Sequence, residues 1–339
     1  MRLFTLPAVL MPAVLMIAAG PALAQPAAPF VVLESGKGFD RLADAVTAIG
    51  NGDGTIQIAA GRYSDCAVQS AGRVAYVARV SGTVTFDGGI CEDKATLVLR
   101  GRSARVEGVR FTHEMVGDGN GAGIRLEQGD LTVLNTQFID AQSGILSAED
   151  PSGTIAIDHS TFSGLGKDPN GHGAHSLYVG KFGALKVTNS RFERGTGGHY
   201  LKCRAPRVEI LDNSFDDSHG HDTNYMIDLS NGAVGRIAGN IFLDGLGKEN
   251  HSVMIAVAAE GSLNSSAGLT IEHNRALLAP GFPWSTAFVG NWSHDPLTVR
   301  DNQLASGITA SRSLAYRESL NQLRVALSSM KERFRAWLS

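Results

Sequence analysis

Five short segments in the middle of the chain decide its fold. They read His175-Ser-Leu-Tyr178-Val-Gly180, Leu185-Lys-Val-Thr-Asn189-Ser-Arg-Phe192, His199-Tyr-Leu-Lys202-Cys-Arg204-Ala205, Val208-Glu-Ile-Leu-Asp212-Asn-Ser-Phe215 and Tyr225-Met-Ile-Asp228-Leu-Ser230. Each segment alternates apolar and polar residues like a short strand, and the pair of segment types recurs after about two to three dozen residues. This recurrence predicts a solenoid of β-strands, in which each unit buries its apolar face against its neighbours.

One of the two segment types keeps the order apolar-x-apolar-x-(Asn, Asp or His)-x-x-Phe. Its copies are 131–138, 155–162, 185–192, 208–215 and, more loosely, 234–242; 269–275 and 297–304 continue it without the Phe, and 106–111 is a shortened copy. Asn, Asp and His tolerate unusual backbone dihedrals at a bend, and the Phe rings are expected to stack in an internal ladder. The Leu-x-x-Leu-x-Leu signature of a leucine-rich horseshoe is missing. A parallel β-helix is therefore the predicted fold.

The first residues of the chain have the pattern of an export signal. Residues 1–24 combine one cation, Arg2, with an apolar run, and they end in Ala22-Leu-Ala24 before Gln25. We expect cleavage after Ala24 and a periplasmic or secreted protein; a membrane anchor is disfavoured by this cleavage site and by three prolines in the run. The formal net charge of −3 argues against a nucleic-acid partner.

The region after the signal predicts a helix and a disulfide. Apolar residues between Phe39 and Ile49 share one helical face, and Gly50-Asn-Gly-Asp-Gly54 would end the helix, which we expect to plug the open end of the solenoid. In an oxidising compartment Cys66 and Cys91, which flank two strand-like runs, should form a disulfide, with Cys203 left as a buried free thiol.

Period-2 alternation assigns faces to the central strands. If His175, Leu177 and Val179 and their counterparts in the next two coils point inward, three columns face outward. These columns are Ser176-Tyr200-Met226, Tyr178-Lys202-Asp228 and Gly180-Arg204-Ser230.

A tyrosine, two cations and a carboxylate on one flat β-face suit an acidic sugar. Arg204 can bind a carboxylate, Tyr178 offers a stacking surface, and a crowded Lys202 with a lowered pKa could act as a base. Alternatively, Lys202 merely pairs with Asp228 across neighbouring coils. Arg125 extends the polar face upstream, either as a substrate contact or as one partner of a cross-strand pair.

Several motifs together resemble a known family. They are Asn120-Gly-Ala-Gly-Ile-Arg125, Gly144-Ile-Leu146, His175-Ser-Leu-Tyr-Val-Gly180, His199-x-x-Lys202-x-Arg204-Ala205, Tyr225-x-Ile-Asp-Leu-x-Asn-Gly232 and Glu260-Gly261. Across Gly36 to about Asn302 the chain resembles exported right-handed parallel β-helix repeat proteins of the pectate-lyase-like superfamily. That superfamily includes pectate and alginate lyases, polygalacturonases and uronan epimerases, and the resemblance implies Lys202 and Arg204 as a base and acid pair. The subgroup's Lys-Ser-Arg is here Lys202-Cys203-Arg204.

The leading prediction is a polysaccharide lyase that cleaves a uronic-acid polymer by β-elimination. The expected catalytic residues are Lys202, Arg204, Tyr178 and His199, and the expected substrate-binding residues are Arg125, His175, Tyr200 and Asp228. For His175 and His199, a structural role at the bend is the alternative.

Two other functions stay open. One is a non-catalytic polysaccharide-binding or envelope scaffold protein. The other is a glycoside hydrolase that uses paired carboxylates from Asp216, Asp217 and Asp222, whose loop could also hold Ca²⁺ or be a plain solvated turn. The sequence does not require a cofactor.

The last part of the chain predicts a second helix. The β pattern stops after Asn302, and apolar residues from Tyr316 to Trp337 recur at steps of three and four with basic residues around them. We expect a β-helix domain over 25–307 and a C-terminal amphipathic helix over 308–339, which would cap the last coil, touch a membrane surface or form a dimer seam.

Overall fold

The computed structural model describes residues 28–166 and 174–314, and these contain one helix and 32 strands. The first third comprises β1 (Phe30–Val32), β2 (Lys37–Phe39), α1 (Leu42–Ile49), β3 (Asp53–Ile58), β4 (Gly61–Tyr63), β5 (Ala67–Gln69), β6 (Arg73–Ala78), β7 (Val84–Asp87), β8 (Ala95–Leu99), β9 (Ser103–Glu107) and β10 (Val109–Thr112). The middle comprises β11 (Ala122–Leu126), β12 (Asp130–Leu134), β13 (Gln137–Ile139), β14 (Ser143–Ser147), β15 (Asp150–Asp158), β16 (Thr161–Ser163), β17 (Leu177–Val179), β18 (Phe182–Thr188), β19 (Arg191–Glu193), β20 (Leu201–Cys203), β21 (Arg207–Leu211) and β22 (Ser214–Asp216). The last third comprises β23 (Ile227–Leu229), β24 (Val234–Ala238), β25 (Ile241–Asp244), β26 (Val253–Val257), β27 (Thr270–Glu272), β28 (Arg275–Leu278), β29 (Thr286–Asn291), β30 (Thr298–Arg300), β31 (Gln303–Leu304) and β32 (Ile308–Ser313).

The strands form three sheets, and the chain visits the sheets in turn, coil after coil. The first sheet has 12 strands in the order β2-β1-β3-β6-β9-β12-β15-β18-β21-β24-β27-β30. The second and third sheets have 10 strands each, β4-β7-β10-β13-β16-β19-β22-β25-β28-β31 and β5-β8-β11-β14-β17-β20-β23-β26-β29-β32. Pairing is parallel except at β1, which is antiparallel to both β2 and β3. The parallel β-solenoid predicted from the repeat is confirmed, and the hand of its coils stays a prediction.

A ladder of phenylalanine rings runs through the interior. Successive stacked centroids from Phe86 to Phe242 lie 4.7–5.6 Å apart, and the rings belong to Phe86, Phe111, Phe138, Phe162, Phe192, Phe215 and Phe242. Each ring is at most 1% exposed. The Phe stack expected from the repeat is therefore confirmed.

The bend that precedes each Phe strand also behaves as the repeat predicts. The residue at the bend has a positive φ in most copies, for example 47° at Asn135, 48° at His159 and 58° at Asp212. The next residue in the later coils is an Asn, and each side-chain amide donates to the Asn one coil on, which gives a ladder made of Asn213, Asn240, Asn274 and Asn302. The first three are buried, and Asn302 at the end is partly exposed. This ladder satisfies polar backbone that the bend would otherwise bury without partners.

The N-terminal region contains the predicted helix and disulfide. Helix α1 ends at Ile49, and it packs against β1, β2, β3 and β5. Gly50 caps it with a φ of 58° and donates its N–H to the carbonyl of Val46. Its role as a cap stays a prediction. Cys66 and Cys91 are disulfide-bonded with their Cα atoms 5.6 Å apart, and Cys203 is a buried free thiol, both as predicted.

The solenoid extends further towards the C-terminus than the sequence suggested. Strands β31 and β32 continue the second and third sheets, and Ile308 pairs with Thr286. The expected end of the β pattern at Asn302 and a helix that starts at 308 are therefore wrong. Strand β32 pairs on one side only and is largely exposed, so it needs no apolar alternation that the sequence could reveal. The expected helical stripe from Tyr316 to Trp337 and the signal segment lie outside the described residues.

Within residues 28–166 and 174–314, no helix has the length and apolar character needed to cross a membrane.

Candidate functional site

The outer face of the third sheet brings the predicted residues together. Tyr178 in β17 pairs in register with Lys202 in β20, and Lys202 pairs with Asp228 in β23. Upstream in the same column, Arg125 in β11 pairs with Leu146 in β14, which pairs with Tyr178. The column Arg125-Leu146-Tyr178-Lys202-Asp228 therefore runs along the solenoid axis with about 4.8 Å between coils.

The residues just before these strands do not follow the alternation. Tyr200 is 1% exposed and packs in the core, and its hydroxyl donates to Asp217 Oδ1 at 2.7 Å. Met226 is also in the core. Strand pairing begins only at Leu201 and Ile227, and at the bend before each strand two successive side chains face inward. The expected outward position of Tyr200, and with it a substrate contact, is therefore wrong.

The same bend turns His175 and His199 towards the outer face, opposite to the expected inward position. Their rings lie 4.9 Å apart, His175 stacks on Tyr178 at 5.7 Å, and His199 Nε2 is 3.6 Å from Asp228 Oδ2. The row of rings continues to Tyr225 at 5.4 Å from His199 and then to Trp292 at 6.2 Å from Tyr225. An outer row of five rings thus flanks the column of polar residues.

The polar residues form one connected cluster, which we call the charged cluster: Tyr178, Lys202, Arg204, Asp228, Asn231 and Glu260. Lys202 Nζ donates to Asp228 Oδ2 at 2.9 Å and to Glu260 Oε1. Arg204 Nε donates to the Tyr178 hydroxyl oxygen at 2.9 Å, and its two terminal nitrogens donate to Asn231 Oδ1 at 3.0 Å and to Glu260 Oε2. Two cations therefore converge on one carboxylate, beside a phenol.

Lys202 is held in its charged form. Burial lowers its pKa, but Asp228 and Glu260 together outweigh burial, and the net result is a raised pKa. The expected lowering of the Lys202 pKa is therefore wrong, because two carboxylates surround the ammonium group. A lysine that keeps its proton is a carboxylate-binding group rather than a base.

Asp228 is almost fully buried between its partners. Burial raises its pKa, and the neighbouring Lys202 opposes this. Its Oδ2 accepts from Lys202 and from the Ser230 hydroxyl at 2.7 Å, whereas Oδ1 is buried without a hydrogen-bond partner. Asp228 therefore positions Lys202, and its remaining oxygen is an unsatisfied acceptor.

The two histidines are neutral at physiological pH. Burial is the main cause that lowers the pKa of each to about 3, and the positive charge of Lys202 adds to it. His175 Nδ1 accepts a hydrogen bond from the backbone N–H of His199 at 3.0 Å, which assigns the proton of His175 to Nε2. These contacts fix both rings beside Lys202 and Tyr178.

A cleft of about 430 Å³ opens directly upstream of the charged cluster. Tyr178 and Gly180 form one end, and the remaining walls carry Asp93, Lys94, Asp118, Asn120, Arg125, Leu146, Ser147, Ala148 and Glu149. Arg125 lies in this cleft with its Nε 3.8 Å from Glu127. Tyr178 thus belongs to both the cleft and the charged cluster.

The downstream side of the charged cluster is apolar. Ala256 follows Asp228 in the column and Gly290 follows Ala256. A Cβ on Gly290 would lie 2.7 Å from the Trp292 ring, so the indole rests on bare backbone. Alternation within one strand could not reveal Trp292 or Glu260, because both come from segments after the strands.

The loop with the acidic residues does not form a second site on this face. Asp217 is fully buried and accepts from Tyr200 and from Thr223 at 2.8 Å, whereas the Asp222 side chain is 57% exposed. These positions do not place Asp217 where a sugar can reach it, which argues against the hydrolase alternative. Among the described residues, a group of three potential metal ligands occurs at Glu272, His273 and Asp301, where Arg236 and Arg300 already pair with Glu272. A Ca²⁺ site stays an untested prediction.

Comparisons with known proteins give a limited result. No family model matches the sequence, and no curated protein matches it. Two crystal structures of the pectin methylesterase from Aspergillus niger are similar to the chain at 12% identity. The penultimately deglycosylated form gives a TM-score of 0.48, with 87% of this chain and 94% of that chain covered, and the deglycosylated form gives 0.49, with 86% and 92%. At this level the likeness assigns no role to any side chain, and membership of the pectate-lyase-like superfamily stays a prediction.

Proposed function

We propose that the protein is a carbohydrate-active β-helix enzyme that binds a uronic-acid polysaccharide along the third sheet and cleaves it by β-elimination. One observation carries the proposal: Arg204 and Lys202 converge on a carboxylate while Arg204 also donates to the phenol of Tyr178, at the edge of an open cleft. A carboxylate-binding pair next to a group that transfers protons is what elimination from a uronate requires.

Lys202 and Arg204 would bind the carboxylate of the uronic acid. Two positive charges on that carboxylate favour removal of the proton from the adjacent ring carbon, because they stabilise the negative charge that develops there. Asp228 and Asn231 hold these cations in place through hydrogen bonds of 2.9 and 3.0 Å. Neither cation has to accept a proton in this scheme.

Tyr178 would carry the proton. As a phenolate, its oxygen, which lies within hydrogen-bond distance of Arg204 Nε, would accept the proton from the ring carbon next to the carboxylate. A carbon–carbon double bond forms as the bond to the glycosidic oxygen breaks, and the same phenol returns the proton to that oxygen. Proton and electron pair balance without any further reactant, and the tyrosine is regenerated.

The outer row of rings supports a sugar ligand. His175, His199, Tyr225 and Trp292 line the charged cluster on one side. Aromatic faces suit the apolar faces of sugar rings. The neutral histidines add no positive charge that would compete with Lys202 and Arg204 for the substrate carboxylate.

The test is the ultraviolet absorbance of unsaturated uronate product on alginate, polygalacturonate and bacterial exopolysaccharides. We expect Tyr178→Phe to reduce kcat by about 10²-fold or more, because the variant keeps the ring but loses the proton. Lys186→Gln is the matched control, since Lys186 is an exposed residue of the first sheet that pairs with Glu209 at 3.0 Å. Wild-type protein that forms no unsaturated product on any substrate, or a Tyr178→Phe variant with full activity, would contradict the proposal.

A second candidate is a polysaccharide-binding protein without catalysis. It is favoured by the pairing within the charged cluster, where Lys202 and Arg204 are both matched by carboxylates, as in a structural ion-pair network. This candidate predicts saccharide binding with neither an unsaturated product nor a new reducing end.

A further inference from the structure

Glu260 differs from every other member of the charged cluster in where it comes from. It follows β26, and its backbone N–H donates to the carbonyl of Ser230 at 2.9 Å. From there its side chain reaches back over two coils to Lys202 and Arg204. Each cation receives one of its two carboxylate oxygens.

Glu260 is also the outermost residue among the charged side chains. Its side chain is 42% exposed, compared with 22% for Arg204, 7% for Lys202 and 2% for Asp228. Among these charged groups, the Glu260 carboxylate is therefore the most open to a ligand that approaches from solvent.

The other contacts of Lys202 and Arg204 do not depend on Glu260. Lys202 keeps Asp228 as a partner, and Arg204 keeps Tyr178 and Asn231. Without the Glu260 carboxylate, the two cations and Asp228 would carry a net charge of +1. The cluster would then present one unmatched positive charge to solvent, with two donors placed for a single carboxylate.

We propose that Glu260 occupies the site of the substrate carboxylate and is displaced when an acidic sugar binds. This proposal rests on the function proposed above and identifies Glu260 as the residue that sets specificity for free uronates. Exchange of one carboxylate for another preserves the charge and the number of charge-assisted hydrogen bonds, so an acidic sugar can replace Glu260 at small cost. A neutral or methyl-esterified sugar cannot, because it would leave the two partly buried cations with the Asp228 carboxylate alone to balance their charge.

The experiment is calorimetric titration of galacturonate, its methyl ester and short oligogalacturonates into wild type and Glu260→Gln. We expect the variant to bind galacturonate at least about 10-fold more tightly, because its amide no longer competes as an anion, a change of about 1.4 kcal/mol. The methyl ester should bind weakly to both proteins. Glu209→Gln is the matched control, an exposed glutamate of the first sheet that should leave all affinities unchanged.

The outcomes separate this inference from the proposed function. If wild type binds galacturonate and Glu260→Gln binds it equally or more weakly, Glu260 is not a competitor, although the proposed function survives. If neither protein binds any uronate, both proposals fail. Glu260→Asp provides a second test if the glutamine variant is unstable: its shorter side chain cannot span both cations, so binding should again be tighter than in wild type.

Discussion

At the scale of single residues, His175 and His199 make the stability of the fold depend on pH. Both are buried in neutral form, with a pKa of about 3 in place of the usual 6.5. Between pH 3 and 6.5 the unfolded chain therefore binds more protons than the folded chain. Stability therefore rises with pH across this window and falls on acidification from about 6.5 towards 3. We expect His199→Asn to flatten the slope by up to about 1.4 kcal/mol per pH unit, measured by urea unfolding between pH 6.5 and 4.

The control for this experiment is His219→Asn. His219 is exposed in the loop after β22, so this variant measures how the slope responds to the loss of a histidine that is not buried. Carboxylates such as Glu260 titrate in wild type and in His199→Asn alike. Only the difference in slope between these two proteins therefore reports on His199. An identical slope for His199→Asn and wild type would show that His199 is not buried in neutral form.

The sequence predicts which residues form the candidate site better than it predicts the direction in which each side chain points. The column Tyr178-Lys202-Asp228 follows from alternation within strands, and the register confirms it. Tyr200 was misplaced because alternation fails at the bend before the strand. Glu260 lies 58 residues from its partner Lys202, and no local periodicity reports such a contact.

At the scale of structural elements, the asparagine ladder holds the bends between the first and second sheets. Asn240 is fully buried: it donates to the carbonyl of Ile210 and to Asn274, and it accepts from the backbone and side chain of Asn213 at 2.9 and 3.0 Å. Asn240→Ala leaves several buried groups without partners, at about 1–3 kcal/mol for each. We expect a loss of about 3 kcal/mol or more in the free energy of unfolding, measured by denaturant titration.

Asn120→Ala is a suitable comparison for the ladder variant. Asn120 is exposed, and its side chain bonds only locally, to Asp118, so the expected change is below about 0.5 kcal/mol. Equal and small effects of both variants would mean that water replaces the ladder.

The sequence contains a signal for the ladder, since Asn213, Asn240, Asn274 and Asn302 share one repeat position. Reading it requires knowing that the position faces inward, which apolar patterning does not reveal for a polar residue.

At the scale of the whole molecule, the described strands pair only with strands of adjacent coils, so each end of the solenoid is stabilised from one side. At the C-terminal end this explains why the sequence does not predict β32: the strand is largely exposed and shows little apolar alternation. At the other end, the Cys66–Cys91 disulfide links the segments just before β5 and β8, the first two strands of the third sheet. The disulfide therefore joins two adjacent coils near the N-terminal end.

The disulfide should act locally rather than on the whole solenoid. It closes a loop with a sequence separation of 25 residues, and loss of such a link costs roughly 3–4 kcal/mol by loop entropy. Since strand pairing joins only adjacent coils, we expect Cys66→Ser/Cys91→Ser to accelerate amide hydrogen exchange in β3 to β8 and to leave β17 to β23 close to wild type. Wild type under reducing conditions should reproduce the variant, and the variant should not respond to reductant. Uniformly faster exchange in all strands would instead mean that the solenoid unfolds as one cooperative unit, in which case the charged cluster in β17 to β23 would depend on a bond many coils away.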